Sequence, residues 1–367
     1  MKRTGTGLKK HTLEEFLGAF SLKMQPALAA VFCFIAIFTG PTEAQTVEEF
    51  YKGKIIKVIV GVPPGGVYDI SARLMARYLG NYIPGHPSVV VQNLPSAGGL
   101  VVANRLYADR SDNDGLTLAV IERSVAQLAI QGDPNARFDP LKFNWLGSMS
   151  SYTDDAYLLL VNADHPAKTV ADLDKPGVQT RIGGGNAGSS NRHFAAIAKD
   201  VLGLKIDIVR GYPGATNIFL AMQRGEVDGQ VIGYGSSRAG QRALWDAHKL
   251  RALVQFGRSE RLKDFPDVPT GRELAKTANA LALIEFAELA FFMAMPMLAP
   301  PDIPADRAAA LKIAFMEMCK DKEFIADANK LSLEVSPLDG DGIIKLLQRA
   351  AMTPKDVIEQ YKKLIGS

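Results

Sequence analysis

The sequence contains few of the residues on which disulfides, metal sites and nucleic-acid surfaces depend. Only two of its 367 residues are cysteine, and Cys33 lies in the leader described below, so Cys319 has no partner for a disulfide or a cysteine metal site. The five histidines are scattered without the spacing of metal ligands, and we expect no bound metal. Lysine and arginine number 42 against 39 aspartate and glutamate, a balance that argues against nucleic acid as a partner.

Catalytic motifs are equally scarce. No glycine-rich loop carries the lysine of a phosphate-binding P-loop, and the segment GYGSS (233–237) does not match the G-x-S-x-G pattern. The composition, 47% hydrophobic and 22% charged, is that of a globular protein, and the length favours two domains over one. We therefore expect a binding protein without catalysis and without a cofactor.

Residues 1–44 are predicted to be a signal peptide. Basic residues, among them Lys9, Lys10 and Lys23, precede the uncharged run ALAAVFCFIAIFTG (27–40), and the segment TEA (42–44) places small residues at the two positions that a signal peptidase reads. The run is shorter than the ~20 residues that a spanning helix needs. We expect a mature chain that begins at Gln45 and lies in the periplasm. A start at Met24 instead of Met1 would give a leader of more usual length.

From residue 45 onward, apolar strand-like runs alternate with helical patterns, which is typical of an open, largely parallel α/β sheet. The first group is a βαβαβ unit with glycine-rich loops after its strands, and a similar group follows in the middle of the chain. The repetition predicts two similar lobes. The predicted strands are 55–62, 88–92, 116–121, 157–161, 180–183, 205–210, 227–232 and 250–256.

The loop after the first strand has the composition of a ligand cradle. Ligands of open α/β sheets bind beyond the carboxyl ends of strands, where glycine lets the backbone approach them. Pro64, Gly65 and Gly66 are followed by Asp69, which we expect to cap the next helix or to contact a ligand hydroxyl or water.

Six segments occur in the order and with the spacing of one known family. They resemble the tripartite tricarboxylate transporter receptors, also called Bug-type periplasmic binding proteins, over essentially the whole mature chain. The segments are IIKVIVGVPPGGVYDI (55–70), VVVQNLPSAGG (89–99), DGLTL (114–118), GGGNAGSSNRHFAAI (183–197), GYPGATNIFLAMQRGEVDG (211–229) and RLKDFPDVPTGREL (261–274).

The resemblance implies a two-lobed periplasmic binding protein of the type II, Venus-flytrap kind, with open, mostly parallel sheets and a two-strand hinge near 157–161 and 250–256. Residues 45–158 and 254–367 would form lobe 1, and residues 159–253 lobe 2. Such a receptor closes on a small organic carboxylate and presents it to the large and small membrane subunits of a transporter. We expect it to act as a monomer.

The same resemblance implies a ligand site formed by four loops, with no arginine inside them. Backbone N–H groups, hydroxyls and bridging waters would then hold the carboxylate. Val67, Tyr68 and Ser96 are bulkier than the family pattern, so a tricarboxylate ligand is not assumed. The apolar segment 280–299 is expected to be buried, with one edge near the cleft. The implied ligand-binding residues are Pro64, Gly65, Gly66, Tyr68, Asp69, Ser96, Ala97, Gly98, Asn186, Gly188, Ser189, Ser190, Tyr212 and Gly214.

An enzymatic alternative comes from the motif G-x-G-x-x-G at 183–188. With Asp207 ~20 residues further on, it matches the fingerprint of an NAD(P)-dependent oxidoreductase. The export signal and the position of the motif in the middle of the chain oppose this hypothesis. A carboxylate receptor that serves a sensor instead of a transporter is a second alternative.

Overall fold

The computed structural model describes residues 45–95, 97–185 and 189–366. Val47 and the residues after it form one unit with two β-sheets. The leader prediction falls on residues 1–44, outside the described part of the chain. Within that part, no helix has both the length and the apolar character needed to cross a membrane.

The first sheet has six strands in the order β11-β4-β10-β3-β1-β2. The neighbours β3, β1 and β2 run parallel, whereas β10, β4 and β11 pair antiparallel. The strands are β1 Ile55–Val60, β2 Ser88–Asn93, β3 Thr117–Val120, β4 Asn144–Ser148, β10 Pro296–Ala299 and β11 Leu338–Asp339.

The second sheet has five strands in the order β7-β6-β8-β5-β9. Here β7, β6 and β8 run parallel, and β5 pairs antiparallel with both β8 and β9. The strands are β5 Tyr157–Asn162, β6 Arg181–Gly184, β7 Asp207–Arg210, β8 Gly229–Gly233 and β9 Leu250–Phe256.

Helices cover both sheets, and the longest, Ala305–Met318, lies in the last third of the chain. Helix α5 continues into a wider π-helical turn over Ile197–Val201. The α-helices are α1 Val47–Tyr51, α2 Val67–Leu79, α3 Leu100–Ala108, α4 Ser124–Ile130, α5 Ser190–Ala196, α6 Ala215–Gln223, α7 Tyr234–Gly240, α8 Arg242–Asp246, α9 Gly271–Leu274, α10 Ala278–Glu288, α11 Ala305–Met318, α12 Lys322–Lys330, α13 Gly340–Ala351 and α14 Lys355–Ile365.

Strand β1 shows how sequence and burial agree. Its residues Ile56, Val58 and Val60 are fully buried and pack in one cluster with Leu74 of α2 and Phe315 of α11. β-branched residues suit a strand that is covered by helices, because their stiff side chains fill the pleated surface. This buried strand therefore fixes where the loop that follows it emerges.

The predicted two-lobed α/β architecture is confirmed, but the prediction of mostly parallel sheets is wrong, because both sheets are mixed. The antiparallel pairs involve β4, β10 and β11 in the first sheet and β5 in the second. The predicted hinge strands, β5 and β9, both lie inside the second sheet. The connections between the sheets are therefore residues 149–156, before β5, and residues 257–295, after β9.

The tail of the chain is shared between the two sheets. Helices α11 and α13 pack on the first sheet. Helices α10 and α14 pack instead in the core of the second sheet, where the rings of Phe286 and Tyr361 meet edge to face with centroids 5.3 Å apart. The lobe boundaries at 158 and 253 stay predictions.

Candidate functional site

A cavity of about 530 Å³ lies where loops of both sheets meet. Strands β3, β1 and β2 are parallel neighbours, so the loops after them emerge along one edge of the first sheet. Tyr68 and Ala97 come to the cavity from two of these loops. Ser189 and Ser190 come from the loop after β6 in the second sheet. The cavity therefore has the position expected for a ligand site in an open α/β protein.

The loop after β1 is held in place by the buried carboxylate of Asp69. One of its oxygens accepts hydrogen bonds from the Gly65 N–H at 2.8 Å and from Arg73 Nε at 3.1 Å. The other accepts from Asn93 Nδ2 at 2.7 Å. Burial alone would raise the pKa of Asp69, but these hydrogen bonds outweigh it and hold the pKa below its ordinary value.

Asp69 is therefore ionised and engaged with neighbouring residues. It lies in the first turn of α2, whose N-cap is Gly66, so it does not act as the N-cap itself. Instead it joins the loop after β1 to Arg73 on the helix and to Asn93 at the end of β2. The arrangement fixes the shape of the loop that carries Tyr68.

The loop after β2 depends on backbone that only glycine adopts easily. Gly98 and Gly99 have φ angles of +69° and +100°. A Cβ built at Gly61, just after β1, would lie 2.1 Å from the Gly99 Cα. This close approach of the two loops brings Ala97 to the cavity. Ser96, the neighbouring predicted residue, lies outside the described residues.

A third loop, after β3, brings two charged residues to the cavity that the sequence analysis did not select. Glu122 and Arg123 follow the strand directly, and both line the cavity. The Glu122 N–H donates to the Gly98 carbonyl at 2.8 Å, and the Arg123 N–H donates to the Tyr68 hydroxyl at 3.2 Å. The loops after β1, β2 and β3 thus form one connected surface.

The Arg123 side chain is held against aromatic rings. Its guanidinium carbon lies 4.2 Å from the ring centroid of Phe291 and 5.7 Å from that of Tyr152, with which it also forms a hydrogen bond. Burial works against the charged form, but the neighbouring tyrosines Tyr68, Tyr152 and Tyr157 outweigh it and raise the pKa of Arg123. The residue is a permanent cation, stacked in a geometry that favours cation–π attraction.

These rings belong to a larger aromatic cluster, which consists of Tyr152, Tyr157, Phe194, Phe256 and Phe291. The centroid of Phe291 lies 4.9 Å from those of Tyr152 and Tyr157 and 5.2 Å from that of Phe194. The cluster joins the connection before β5 to helix α5 and to the tail. It forms a rigid apolar wall behind Arg123.

Glu122 is the acidic residue of the cavity wall. Burial raises the pKa of its carboxyl, and nearby Arg123 lowers it by a smaller amount. A Cβ at Gly98 would lie 2.6 Å from the carboxylate, so the flexible Glu122 side chain would have to shift to admit a larger residue there. Glu122 therefore borders the cavity close to the loop after β2.

The second-sheet side of the cavity comes from the start of helix α5. Ser189, Ser190 and His193 line it, and the His193 N–H donates to the Ser189 carbonyl at 3.1 Å. The buried Asn191 side chain accepts from the Gly185 N–H at 3.2 Å and shapes the loop. Asn186 and Gly188 lie outside the described residues.

The structure brings some predicted site residues together and leaves others apart. Tyr68, Ala97, Ser189 and Ser190 line the same cavity. Tyr212 packs against the cluster on the other face of the second sheet, beside Ile218. The predicted site residues that do not line the cavity are Pro64, Gly65, Gly66, Asp69, Gly98, Tyr212 and Gly214.

The apolar segment 280–299 fulfils its prediction. Most of it is buried, and Ala287, Ala290 and Phe291 form one edge of the cavity. Near the end of the chain, Tyr361 and Ile365 of α14 complete the wall. The cavity therefore combines loops of the first sheet, helix α5 and the tail.

The position of Asp207 argues against the oxidoreductase alternative. β6 and β7 are parallel, with Arg181 opposite Asp207 and Gly184 opposite Arg210. Asp207 therefore begins its strand, at the edge opposite the glycine-rich loop after β6, and its exposed side chain pairs with Lys199. A ribose-binding acid would have to lie at the other end of that strand.

The two sheets and the cavity between their loops define a two-lobed α/β solute-binding protein. The sequence model described as "Tripartite tricarboxylate transporter family receptor" matches residues 72–362. The chain belongs to this receptor family.

Relatives and solved structures agree with this assignment. Protein BugT of Bordetella pertussis is 38% identical over 109 residues, which are 30% of this chain and 31% of that protein, so the match spans about a third of that relative's length. A TctC solute-binding protein from Polaromonas has a TM-score of 0.64 at 19% identity, covering 84% of this chain and 99% of its own. MatC of Rhodopseudomonas palustris, solved with bound malate, has a TM-score of 0.54 at 20% identity, with 85% and 99% coverage.

A further Rhodopseudomonas palustris protein, solved with adipate, has a TM-score of 0.57 at 17% identity. The similarity covers 85% of this chain and 97% of that protein. At such identities the structures show a shared fold.

Proposed function

We propose that this protein captures a small organic carboxylate by closure of its two lobes and delivers it to a tripartite tricarboxylate-type membrane transporter. The observation that carries the proposal is the Arg123 guanidinium in a cavity whose walls come from both sheets. A fixed cation in a partly buried, concave site favours an anionic ligand. Malate and adipate in two related structures support a carboxylate as that anion.

The cation changes how the carboxylate is held. The four predicted loops contain no arginine, and backbone N–H groups and hydroxyls alone were expected to bind the ligand. Arg123 comes from a fifth loop, after β3, and adds a charged donor. Ser189, Ser190 and Tyr68 remain as hydroxyl donors of the proposed site, with bridging waters between them and the ligand.

Closure is proposed to bring lobe 2, residues 159–253, toward lobe 1, residues 45–158 and 254–367. The connections 149–156 and 257–295 would bend during this motion. Small-angle X-ray scattering should then give a smaller radius of gyration when a binding carboxylate is added. An unchanged radius at saturation would exclude closure.

Export and the partners are part of the same proposal. We propose that residues 1–44 are removed and that the mature chain works in the periplasm as a monomer, with the large and small transporter subunits as partners and with no reaction of its own. N-terminal sequencing of the periplasmic protein should begin at or within a few residues of Gln45. Recovery of the uncleaved chain from the cytoplasm would contradict the export proposal.

A thermal-shift screen tests the ligand class. The mature protein is heated with mono-, di- and tricarboxylates, sugars, phosphates and NADH, and only carboxylates should raise the melting temperature. A ligand with a dissociation constant of ~1 μM adds ~2.7 kcal/mol at a hundredfold excess, which amounts to several degrees. A response to NADH with none to any carboxylate would overturn the proposal.

A further inference from the structure

We infer that Arg123 anchors the ligand carboxylate, and that the ligand is a monocarboxylate with an apolar body instead of a small, highly polar di- or tricarboxylate. The inference rests on the proposed function, because it names the ligand class for that same cavity. It follows from the charges that line the cavity and from the apolar character of its wall.

The first step concerns the charge of Arg123. The side chain is partly buried, and among the described residues its contacts are aromatic rings and the Tyr152 hydroxyl, with no carboxylate in ion-pair contact. A partly buried cation without a counter-ion is costly, since desolvation of the charge is left uncompensated. A ligand carboxylate would supply the counter-ion, and the planar guanidinium can donate two parallel hydrogen bonds to it.

The second step concerns the number of carboxylates. Arg123 is the one lysine or arginine among the described residues that line the cavity, and Glu122 beside it is an acid. A second ligand carboxylate would have no cation to meet and would be repelled by Glu122 when that residue is ionised. The cavity therefore favours a ligand with a single negative charge.

The third step concerns the body of the ligand. Beyond the two charged residues, the wall contains Val125, Leu128, Phe194, Phe291 and Ile365. These side chains stabilise the apolar atoms of a ligand. The rest of the wall is polar and can hydrogen-bond to groups near the ligand carboxylate; it includes Gln127, Gln131, Ser189, Ser190 and His193. A volume of about 530 Å³ accommodates an aromatic ring or a short alkyl chain next to the carboxylate.

Calorimetric titration of the unmodified mature protein is the first test. The probes are phenylacetate and hexanoate, their uncharged amides, and malate and citrate. We expect phenylacetate or hexanoate to bind at least about 10-fold more tightly than malate and citrate, and the amides to lose about 100-fold, because they cannot pair with Arg123. This comparison needs no variant and is independent of any effect of mutation on folding.

Variants then test the residue. Arg123→Gln should weaken binding of the preferred monocarboxylate about 100-fold, and Arg123→Lys should retain part of the affinity because it keeps the charge. Arg210→Gln is the matched control, since it removes the same charge from a residue that is exposed at the end of β7 and does not line the cavity. Its affinity should equal that of the unmodified protein.

The outcomes separate this inference from the proposed function. Tight binding of malate or citrate with weak binding of both monocarboxylates would overturn the inference and leave a carboxylate receptor in place. Unchanged affinity of a folded Arg123→Gln variant for the preferred monocarboxylate would also overturn the inference and leave the carboxylate receptor in place. Binding of no carboxylate at all would overturn both.

Discussion

The Arg258 guanidinium donates a 2.7 Å hydrogen bond to the backbone carbonyl of Asp155, which ties together the two connections between the sheets. The same nitrogen also donates to the carbonyls of Tyr152 at 3.1 Å and Thr153 at 2.9 Å. Arg258 follows β9 closely, and the three acceptors precede β5. One side chain therefore couples the two segments about which the lobes would move.

Replacement of Arg258 by lysine should destabilise the protein. Lysine has a shorter side chain and lacks the Nε donor, which in Arg258 contacts the Glu260 carbonyl at 2.9 Å, so at least one of these carbonyls loses its donor, at a cost of about 1 kcal/mol. The free energy of unfolding in urea measures the effect. Arg242→Lys is the control, because Arg242 is exposed and forms a surface ion pair with Asp246, and this variant should change the stability little. Equal stability of the two variants would contradict the role given to Arg258.

Gly65 and Gly66 form a matched pair for testing the loop after β1. A Cβ added at either position would meet no atom within 4 Å, but Gly65 has a φ of +87° whereas Gly66 has a φ of −81°. Gly65→Ala should therefore cost about 1–2 kcal/mol through backbone strain, and Gly66→Ala should cost almost nothing. Urea denaturation of both variants checks this, and a larger loss for Gly66→Ala would be inconsistent with these two backbone angles.

Glu288 introduces a pH dependence at the connection after β9. The residue is fully buried, accepts from the Gly257 N–H at 2.9 Å and pairs with Arg272 Nε at 2.6 Å. Burial raises the pKa of its carboxyl to about 7, although Arg272 and the hydrogen bonds lower it. Because the folded state binds this proton more tightly, the contribution to stability is fully present below the unfolded pKa of about 4.5 and is lost as the pH rises through about 7.

Glu288→Gln should therefore flatten the dependence of the unfolding free energy on pH between about 4.5 and 7. Some slope remains, because burial also raises the pKa of Asp155, to about 6. Glu285→Gln is the control, since Glu285 contacts the same arginine but is partly exposed and contributes least to the raised pKa of Glu288, so this variant should keep most of the slope. A steeper profile for Glu288→Gln would contradict the direction of the shift.

Cys319 should be unreactive in the folded protein. It is buried in the core of the first sheet, and burial raises the pKa of its thiol to about 12, so almost no thiolate exists at neutral pH. A thiol-specific reagent should react with the mature protein only after urea is added, with one thiol per chain. Fast reaction without urea would show that the thiol is accessible.

The sequence predicted several strands of the fold well. The run LRALVQF (250–256) forms β9 with those bounds, and all of its residues except Arg251 are buried. Strand β10, Pro296–Ala299, was not predicted as a separate strand, because it lies within the apolar segment 280–299. Its four residues are too few to show a period of two, and its partners β3 and β4 are distant in the sequence.

The candidate site was only partly predictable. The glycine-rich loops indicated a ligand site because glycine lets the backbone approach a ligand closely. Of the residues predicted on this basis, the cavity is lined by Tyr68, Ala97, Ser189 and Ser190. Arg123 was missed because the segment IERS (121–124) contains no glycine and resembles an ordinary solvated turn. The rule that ligands bind beyond the carboxyl ends of parallel strands applies equally to β3 and would have identified it. The stacking on Phe291 could not be predicted, because these residues meet only through tertiary packing.

The pairing of β3 with β10 has a consequence for how the chain folds. Val120 lies opposite Met297, whereas all five strands of the second sheet come from 157–256. Closing the long loop between β3 and β10 has a high entropic cost and is slow. We therefore expect the second sheet to form early and the first sheet to form last. Until β10 arrives, β3 presents an unpaired apolar edge to other chains. Aggregation during refolding should therefore begin at β3, and a chain shortened before Pro296 should aggregate even though its second sheet has all its strands.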